Sequence, residues 1–332
     1  MKKLGMILLF GLLVFVAACG GGDSSSEGDG NASGSADYTV GIMQHVEHPS
    51  LDAATEGFKA ALKESDLNVA FEEENAQGDA KNNQSIASKF VGDEVDLIFA
   101  NATPSAQSAA NETSDIPVVF TSVTDPEGAG LVESMESPGG NVTGTSDFNA
   151  DAIPNTLQLI KDMGYDTVGT IYNGGEQNSV TQVEIMKESA DELGVTIEEA
   201  NAATSADVKQ AAESLIGSVD AIYIITDNTV VSALESVIMV SQQEKLPLFV
   251  GELDSVARGG FAAYGFDYYD IGYNAGQKAI KILKDGKNPG EIPAEYPQNL
   301  KLHINEDAAE KMGVEITDEL KEQGKIVQTQ QE

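Results

Sequence analysis

Two stretches far apart in the chain carry one pattern, and that repetition limits the fold more than any other feature. Residues 95–110, VDLIFANATPSAQSAA, give a Val-Asp pair, an apolar strand, a polar break and an Ala/Ser-rich helix. Residues 219–234, VDAIYIITDNTVVSAL, pass through the same features in the same order. Short apolar runs of this kind suit strands buried on both faces of a parallel sheet. In the first copy Pro104 fits the first helical turn, where a missing N–H costs nothing, and Thr103 before it is a natural N-cap. The polar break therefore lies at the carboxyl end of a strand and the positive end of a helix. Open α/β sheets bind ligands there, and anionic groups are favoured.

The match extends outward. Thr39-Val40-Gly41 precedes the first copy as Thr167-Val168-Gly169 precedes the second, and Ile116-Pro117-Val118-Val119-Phe120 follows it as Leu246-Pro247-Leu248-Phe249-Val250 follows the other. A repeat this long reads as two similar domains, not a stacked array. Strand-like and helix-like segments alternate through the rest of the chain, which implies parallel sheets with right-handed crossovers. The expected fold is α/β: two similar doubly wound parallel-sheet lobes joined by a multi-crossover hinge. The expected lobes are residues 37–148 with 266–290, and 149–265 with 291–332. Crossings near 148, 266 and 290 would let the lobes close around a ligand.

The N-terminal segment reads as an export signal: Lys2 and Lys3, then an apolar run over residues 4–16, too short for a spanning helix. Val16-Ala17-Ala18-Cys19 resembles a lipobox, which would make residues 1–18 the signal peptide and Cys19 a lipid-modified first residue. Cys19 is the only cysteine, so no intramolecular disulfide can form. Residues 19–36 are rich in Gly, Ser, Asp and Asn and read as a tether. The formal charge of −35 makes nucleic acid and anionic lipid poor partners. It suits a solvated surface, in ordinary, saline or alkaline surroundings alike.

Further runs carry a family likeness. Val40-Gly41-Ile42-Met43-Gln44 leading to Val46-Glu47-His48-Pro49-Ser50-Leu51-Asp52 resembles the opening of ABC-transporter substrate-binding lipoproteins of the tryptophan/tyrosine-uptake type. Phe99-Ala100-Asn101-Ala102-Thr103-Pro104, Thr121-Ser122-Val123-Thr124-Asp125-Pro126 and Gly144-Thr145-Ser146-Asp147 are similar to its further signatures. So are Tyr172-Asn173 with Glu176-Gln177-Asn178-Ser179, and Thr226-Asp227-Asn228-Thr229. The likeness spans most of residues 38–320. It implies a type 1 periplasmic-binding fold, an extracytoplasmic protein held on the bacterial membrane through Cys19, and delivery of a small molecule to an ABC permease. An aromatic amino acid is the ligand class it implies.

A free amino acid needs donors for its carboxylate and acceptors for its ammonium. Thr103 and Ser105 at the helix start are assigned the carboxylate, with Ser122 and Thr124 as second candidates; Thr103 could equally be a plain N-cap. Asp227, then Glu252, then Asp147 are assigned the ammonium, with Asn228 beside them. Asn178 and Ser179 either bind ligand or cap the following helix. Tyr172 either stacks on an aromatic ligand or packs in the core. Glu47 and His48 are expected to face the cleft. His45, Glu47 and His48 are poorly spaced for a metal on one helix face, and none is expected. No Gly-x-Ser-x-Gly, P-loop or local Ser/His/Asp motif occurs, so neither cofactor nor catalysis is expected. A sensor domain for a signalling partner and a secreted enzyme using the same cleft are the rival readings.

Overall fold

The repeated Val-Asp pair has one structural job in both halves. Asp96 Oδ2 accepts the Thr39 backbone N–H at 2.7 Å, and Asp220 Oδ2 accepts that of Thr167 at 2.9 Å. Each carboxylate thus ties the start of the lobe's first strand to the strand that the motif opens. A computed structural model describes residues 36–330. The signal, Cys19 and nearly all of the tether lie outside those residues.

The first lobe is built from β1 (Tyr38–Gln44), α1 (Pro49–Glu64), β2 (Val69–Asn75), α2 (Ala80–Gly92), β3 (Leu97–Asn101), α3 (Thr103–Glu112), β4 (Val118–Val123) and β5 (Val142–Ser146). Its sheet is parallel throughout, in the order β2-β1-β3-β4-β5. β3 and β4 are buried along their whole length, as their near-continuous apolar sequence requires. One face of the sheet packs Phe90, Ile98 and Phe120, the other Phe58, Leu97 and Phe99, with Phe58 stacked on Phe99 at 3.8 Å.

The second lobe follows with α4 (Ala152–Asp162), β6 (Thr167–Tyr172), α5 (Gln177–Leu193), β7 (Thr196–Asn201), α6 (Val208–Ser214), β8 (Ala221–Ile224), α7 (Asn228–Ser232), α8 (Leu234–Glu244), β9 (Leu248–Val250), α9 (Leu253–Arg258) and β10 (Ala262–Gly265). The chain then returns to the first lobe as α10 (Tyr268–Leu283), which lies along α1. Their close approach needs glycine: a Cβ at Gly272 would run into the Ala54 carbonyl, and one at Gly57 into that of Tyr269. The chain crosses back once more to supply β11 (Lys301–Asn305), α11 (Glu306–Met312), α12 (Asp318–Gln323) and β12 (Lys325–Val327). The second sheet runs β12-β11-β10-β9-β8-β6-β7. β11 is antiparallel to β10, because it enters from the first lobe in the opposite direction.

The third crossing is later than expected. Residues 291–295 belong with the first lobe: Ile292 packs with Phe58 and Phe99, and Ala294 packs with Phe120. Lys278 on α10 holds the segment by donating to the Pro293 carbonyl at 2.7 Å and to Glu295 at 2.8 Å. The chain therefore leaves this lobe past Glu295, which pairs with Thr145, and not at 290. Sequence misplaces the boundary because Pro289-Gly290 signals a break without saying which lobe takes up the next residues.

Candidate functional site

The C-terminal tips of β1, β3 and β4 face the tips of β6, β8 and β9 across the hinge. Hydrogen bonds join the two sides. Ser50 Oγ lies 2.9 Å from Glu252 Oε2 and 3.1 Å from Asp254 Oδ2. Gln182 Nε2 donates to Thr124 Oγ1 at 3.2 Å, and Gln177 Nε2 to Asp125 Oδ2 at 3.3 Å. These contacts mark the closed arrangement of the lobes. A cavity of about 190 Å³ lies between them, lined by His45 and Asp79 on one side and Thr204, Thr229 and Ser232 on the other.

On the first lobe, α3 starts from Ala102, whose φ of 83° takes the helix-cap position. Thr103 is consequently inside the first turn and does not cap. Its hydroxyl is buried without a protein partner, beside backbone N–H groups at the positive end of a helix. Ser122, on the adjoining β4 tip, has φ 56° and a second buried hydroxyl without a partner. A non-glycine residue in that region costs about 1 kcal/mol or more. Such strain is found where a side chain must be aimed. Ser105 points elsewhere: its hydroxyl donates to Asn83 Oδ1 at 2.9 Å, and Asn83 in turn holds His45 Nδ1 at 2.8 Å. It braces α3 against α2 and is not free for a ligand.

Of the two residues expected to face the cleft, His48 turns inward and Glu47 does not. Glu47 is exposed, on a surface depression shared with Asp52, Glu56 and Glu74. His48 is buried against Asn228 of the other lobe, with Nδ1 unpartnered. Burial and the Arg258 charge bring its pKa down to about 3, and burial brings that of His45 down to about 4, so both rings are neutral.

On the second lobe, Asp227 is consumed by its own fold. It caps α7 through Val230 N at 2.7 Å and accepts the Asn173 N–H at 2.7 Å and the Ser179 hydroxyl at 2.6 Å. Burial, reinforced by the Glu176 carboxylate, pushes its pKa up. Glu176 accepts from Asn228 at 2.6 Å, from Thr229 at 2.9 Å and from Asn173 at 3.3 Å. Asp227, Ser179 and Asn228 therefore shape the wall of the cleft, with three of the roughly four acceptor sites of the Asp227 carboxylate taken up inside its own lobe. Asn178 differs. It does not cap α5, and its Oδ1 is buried without a partner. Tyr172 turns away from the cleft and donates its hydroxyl to Glu199 on the edge strand β7 at 2.9 Å.

Asp147 sits at the first crossing. It accepts Thr124 Oγ1 at 3.1 Å and the Tyr268 hydroxyl at 2.9 Å, and burial pushes its pKa up to about 6. Glu252 accepts the Ser255 hydroxyl at 2.8 Å on the oxygen that faces Ser50, and burial pushes its pKa up to about 7. Its task is to join the lobes. Sequence reading passed over Ser50, Glu176, Gln182 and Tyr268 as individual site groups. Gln182 had a signal: it follows Asn178 at i+4 and shares its helix face.

Among the described residues, the buried side-chain atoms without a partner include six at the strand ends and the helix starts beside them: His48 Nδ1, Asn101 Oδ1, Thr103 Oγ1 and Ser122 Oγ on the first lobe, Gln177 Oε1 and Asn178 Oδ1 on the second. Thr170 Oγ1 and Ser241 Oγ lie elsewhere in the second lobe. Buried polar atoms are nearly always hydrogen-bonded, so such a set at facing strand tips calls for a polar ligand. The cationic side chain on α9, Arg258, is bonded to Glu235 and to the Val231 carbonyl. A ligand anion would thus be met by hydroxyls and helix N–H groups.

Comparison with known proteins bears on the family and the fold. A family profile described as ABC transporter substrate binding protein matches residues 39–327. The chain is 42% identical over 316 residues to a tyrosine-binding protein of Clostridioides difficile, covering 92% of this chain and 91% of that one. A Streptococcus pneumoniae ABC domain in complex with L-Trp superposes with a TM-score of 0.83 at 32% identity, over 87% of this chain and 99% of that one. A ligand-free, open substrate-binding protein from Clostridium difficile, described as having adhesive properties, gives 0.64 at 39% identity, over 88% of this chain and all (100%) of that one.

Proposed function

Because this chain belongs to the ABC transporter substrate-binding protein family, we propose that it captures an aromatic amino acid, tyrosine or tryptophan, by closing its lobes. The observation that carries this reading is the unpartnered set of polar atoms at the facing strand tips. Thr103, Ser122 and the first turn of α3 take the ligand carboxylate, and Asn178 Oδ1 takes the ammonium. Ser179, the next residue after Asn178, donates to Asp227, so a carboxyl group stands beside that position. The tyrosine-binding relative and the L-Trp complex support the ligand class.

Proteins of this family are extracytoplasmic. For this chain we add attachment to the membrane through a lipid on Cys19 and delivery to an ABC permease. Among the described residues no helix is long and apolar enough to cross a membrane. The rival reading as a sensor would use the same closure for a signalling partner.

The test is a thermal-shift and calorimetry screen of the protein from Asp37 onward against tyrosine, tryptophan, phenylalanine, nucleosides and sugars. A ligand that binds only the folded form raises the melting temperature by mass action. Tyrosine or tryptophan should give the largest shift. A shift with a sugar and none with the aromatic amino acids would overturn the ligand class.

A further inference from the structure

One contact between the lobes depends on the number of protons present. Ser50, in the first turn of α1, has its Oγ within hydrogen-bond reach of two carboxylates across the cleft, Glu252 Oε2 at 2.9 Å and Asp254 Oδ2 at 3.1 Å. A serine hydroxyl carries one proton. It can satisfy one carboxylate, leaving the other with lone pair against lone pair. The Ser255 proton is already directed to Glu252 Oε2, at 2.8 Å, so it cannot serve Asp254. Both Ser50 contacts are hydrogen bonds only when one carboxyl carries a proton and donates it to Ser50 Oγ. Arg258, on the same helix, does not replace that proton, since its guanidinium is bonded to Glu235 and to the Val231 carbonyl.

We propose that closing the lobes takes up a proton onto the Glu252–Asp254 pair, so that ligand capture tightens as the medium acidifies. This rests on capture by closure and adds its regulation. Burial at the contact raises the affinity of both carboxyls for a proton, that of Glu252 to a pKa of about 7. The groups around the pair act in known directions. Asp254 raises Glu252, and Asp267 raises Asp254; the Ser255 and Ser50 hydroxyls on Glu252, the Ser50 hydroxyl on Asp254 and the Arg258 charge on both oppose, and burial outweighs them. His48 is neutral, and the Tyr268 phenol, pushed well above its ordinary value by burial and by Asp147, Glu252 and Asp254, stays protonated. Once the lobes part, the carboxylates lose Ser50 and regain water, which lowers their affinity for a proton. Below about pH 7, wherever the open form is still ionised, closure should bind a proton, and affinity should fall by up to about tenfold per pH unit as pH rises.

The experiment is calorimetry of L-tyrosine and L-tryptophan binding near pH 6, in two buffers of different ionisation enthalpy, which counts protons taken up per ligand. Wild type is compared with Asp254→Asn, whose amide can donate to Ser50 Oγ without an added proton. The variant should take up about one proton fewer and keep its affinity at higher pH. Equal proton counts in the two proteins would overturn the proposal. Glu252→Gln is the second variant should the first fail to fold, with the same expectation. If neither amino acid binds, the functional reading fails on its own. The proposal is then read from ligand-free protein by small-angle scattering. Contraction on acidification in wild type, absent in the variant, supports it, and the same profile in both overturns it.

Discussion

Gln182 makes hydrogen bonds to both lobes. Its Oε1 accepts the Thr226 backbone N–H at 3.3 Å and hydroxyl at 3.0 Å inside its own lobe, while Nε2 donates to Thr124 of the other at 3.2 Å. Thr124 passes the connection to Asp147, and Asp147 accepts Tyr268 at the second crossing. The closed state is thus read by one side chain whose two ends have separable tasks. Gln182→Glu keeps the acceptor for Thr226 and removes the donor to Thr124. Closure loses a hydrogen bond and gains an acceptor facing the Thr124–Asp147 pair, so ligand affinity should fall by about tenfold or more. The melting temperature of the ligand-free variant should stay close to wild type. Unchanged affinity by calorimetry would show that the bridge contributes nothing to capture.

Ser122 separates binding from stability. Its φ of 56° costs stability, and its hydroxyl has no partner in the protein. Ser122→Gly should relieve the backbone by about 1 kcal/mol and raise the melting temperature. It should also weaken amino-acid binding about tenfold by removing a carboxylate donor. Ser122→Ala should weaken binding alike but keeps the strained backbone, so its melting temperature should lie below that of the glycine variant. A glycine variant that binds as well as wild type would remove Ser122 from the carboxylate site.

Asp227 poses the opposite case. Three donors converge on its carboxylate from Asn173, Ser179 and Val230. Asp227→Asn sets an amide N–H₂ against at least one of them, and a buried donor left unpaired costs about 1–3 kcal/mol. The melting temperature should fall by several degrees, and denaturant titration should move with it. An unchanged melting temperature with binding abolished would instead return Asp227 to the ligand.

These residues also show what was legible in the sequence. The duplicated Val-Asp, strand and polar loop located β3 and β8 and the tips that face each other, because an apolar run between turn residues has few other uses. β5 escaped notice. Its VTGTS sequence has little apolar signal, and it is buried because Gly144 lets it approach Phe120 closely. β12 and α9 are too short for periodicity to reveal. Within the site, Asp227 was indistinguishable from a ligand acceptor, since Asp before Asn-Thr serves a helix cap equally well. Glu47 and His48 differ by one residue, and which of them turns inward depends on the extended backbone of His48 ahead of Pro49. Contacts between lobes, such as Ser50 with Glu252, have no local signature.

Asp147 makes the closed protein sensitive to pH separately from Glu252. Burial pushes its pKa up to about 6, with the hydrogen bonds from Tyr268 and Thr124 opposing only in part. In the unfolded chain an aspartate titrates near pH 4. Its closed-state value is the higher one, so the stabilising contribution is fully present below about pH 4 and is lost as pH rises through about 6. Self-repulsion of a chain with a formal charge of −35 grows in the same direction, so wild type alone would not isolate the group. Asp147→Asn does. Its amide oxygen still accepts from Thr124, and its N–H₂ can donate to the Tyr268 oxygen. With saturating ligand, the melting temperature of the variant should gain on wild type between about pH 4 and pH 6, then run parallel above that range. A constant difference across the range would mean that Asp147 is ionised at ordinary pH in the closed protein.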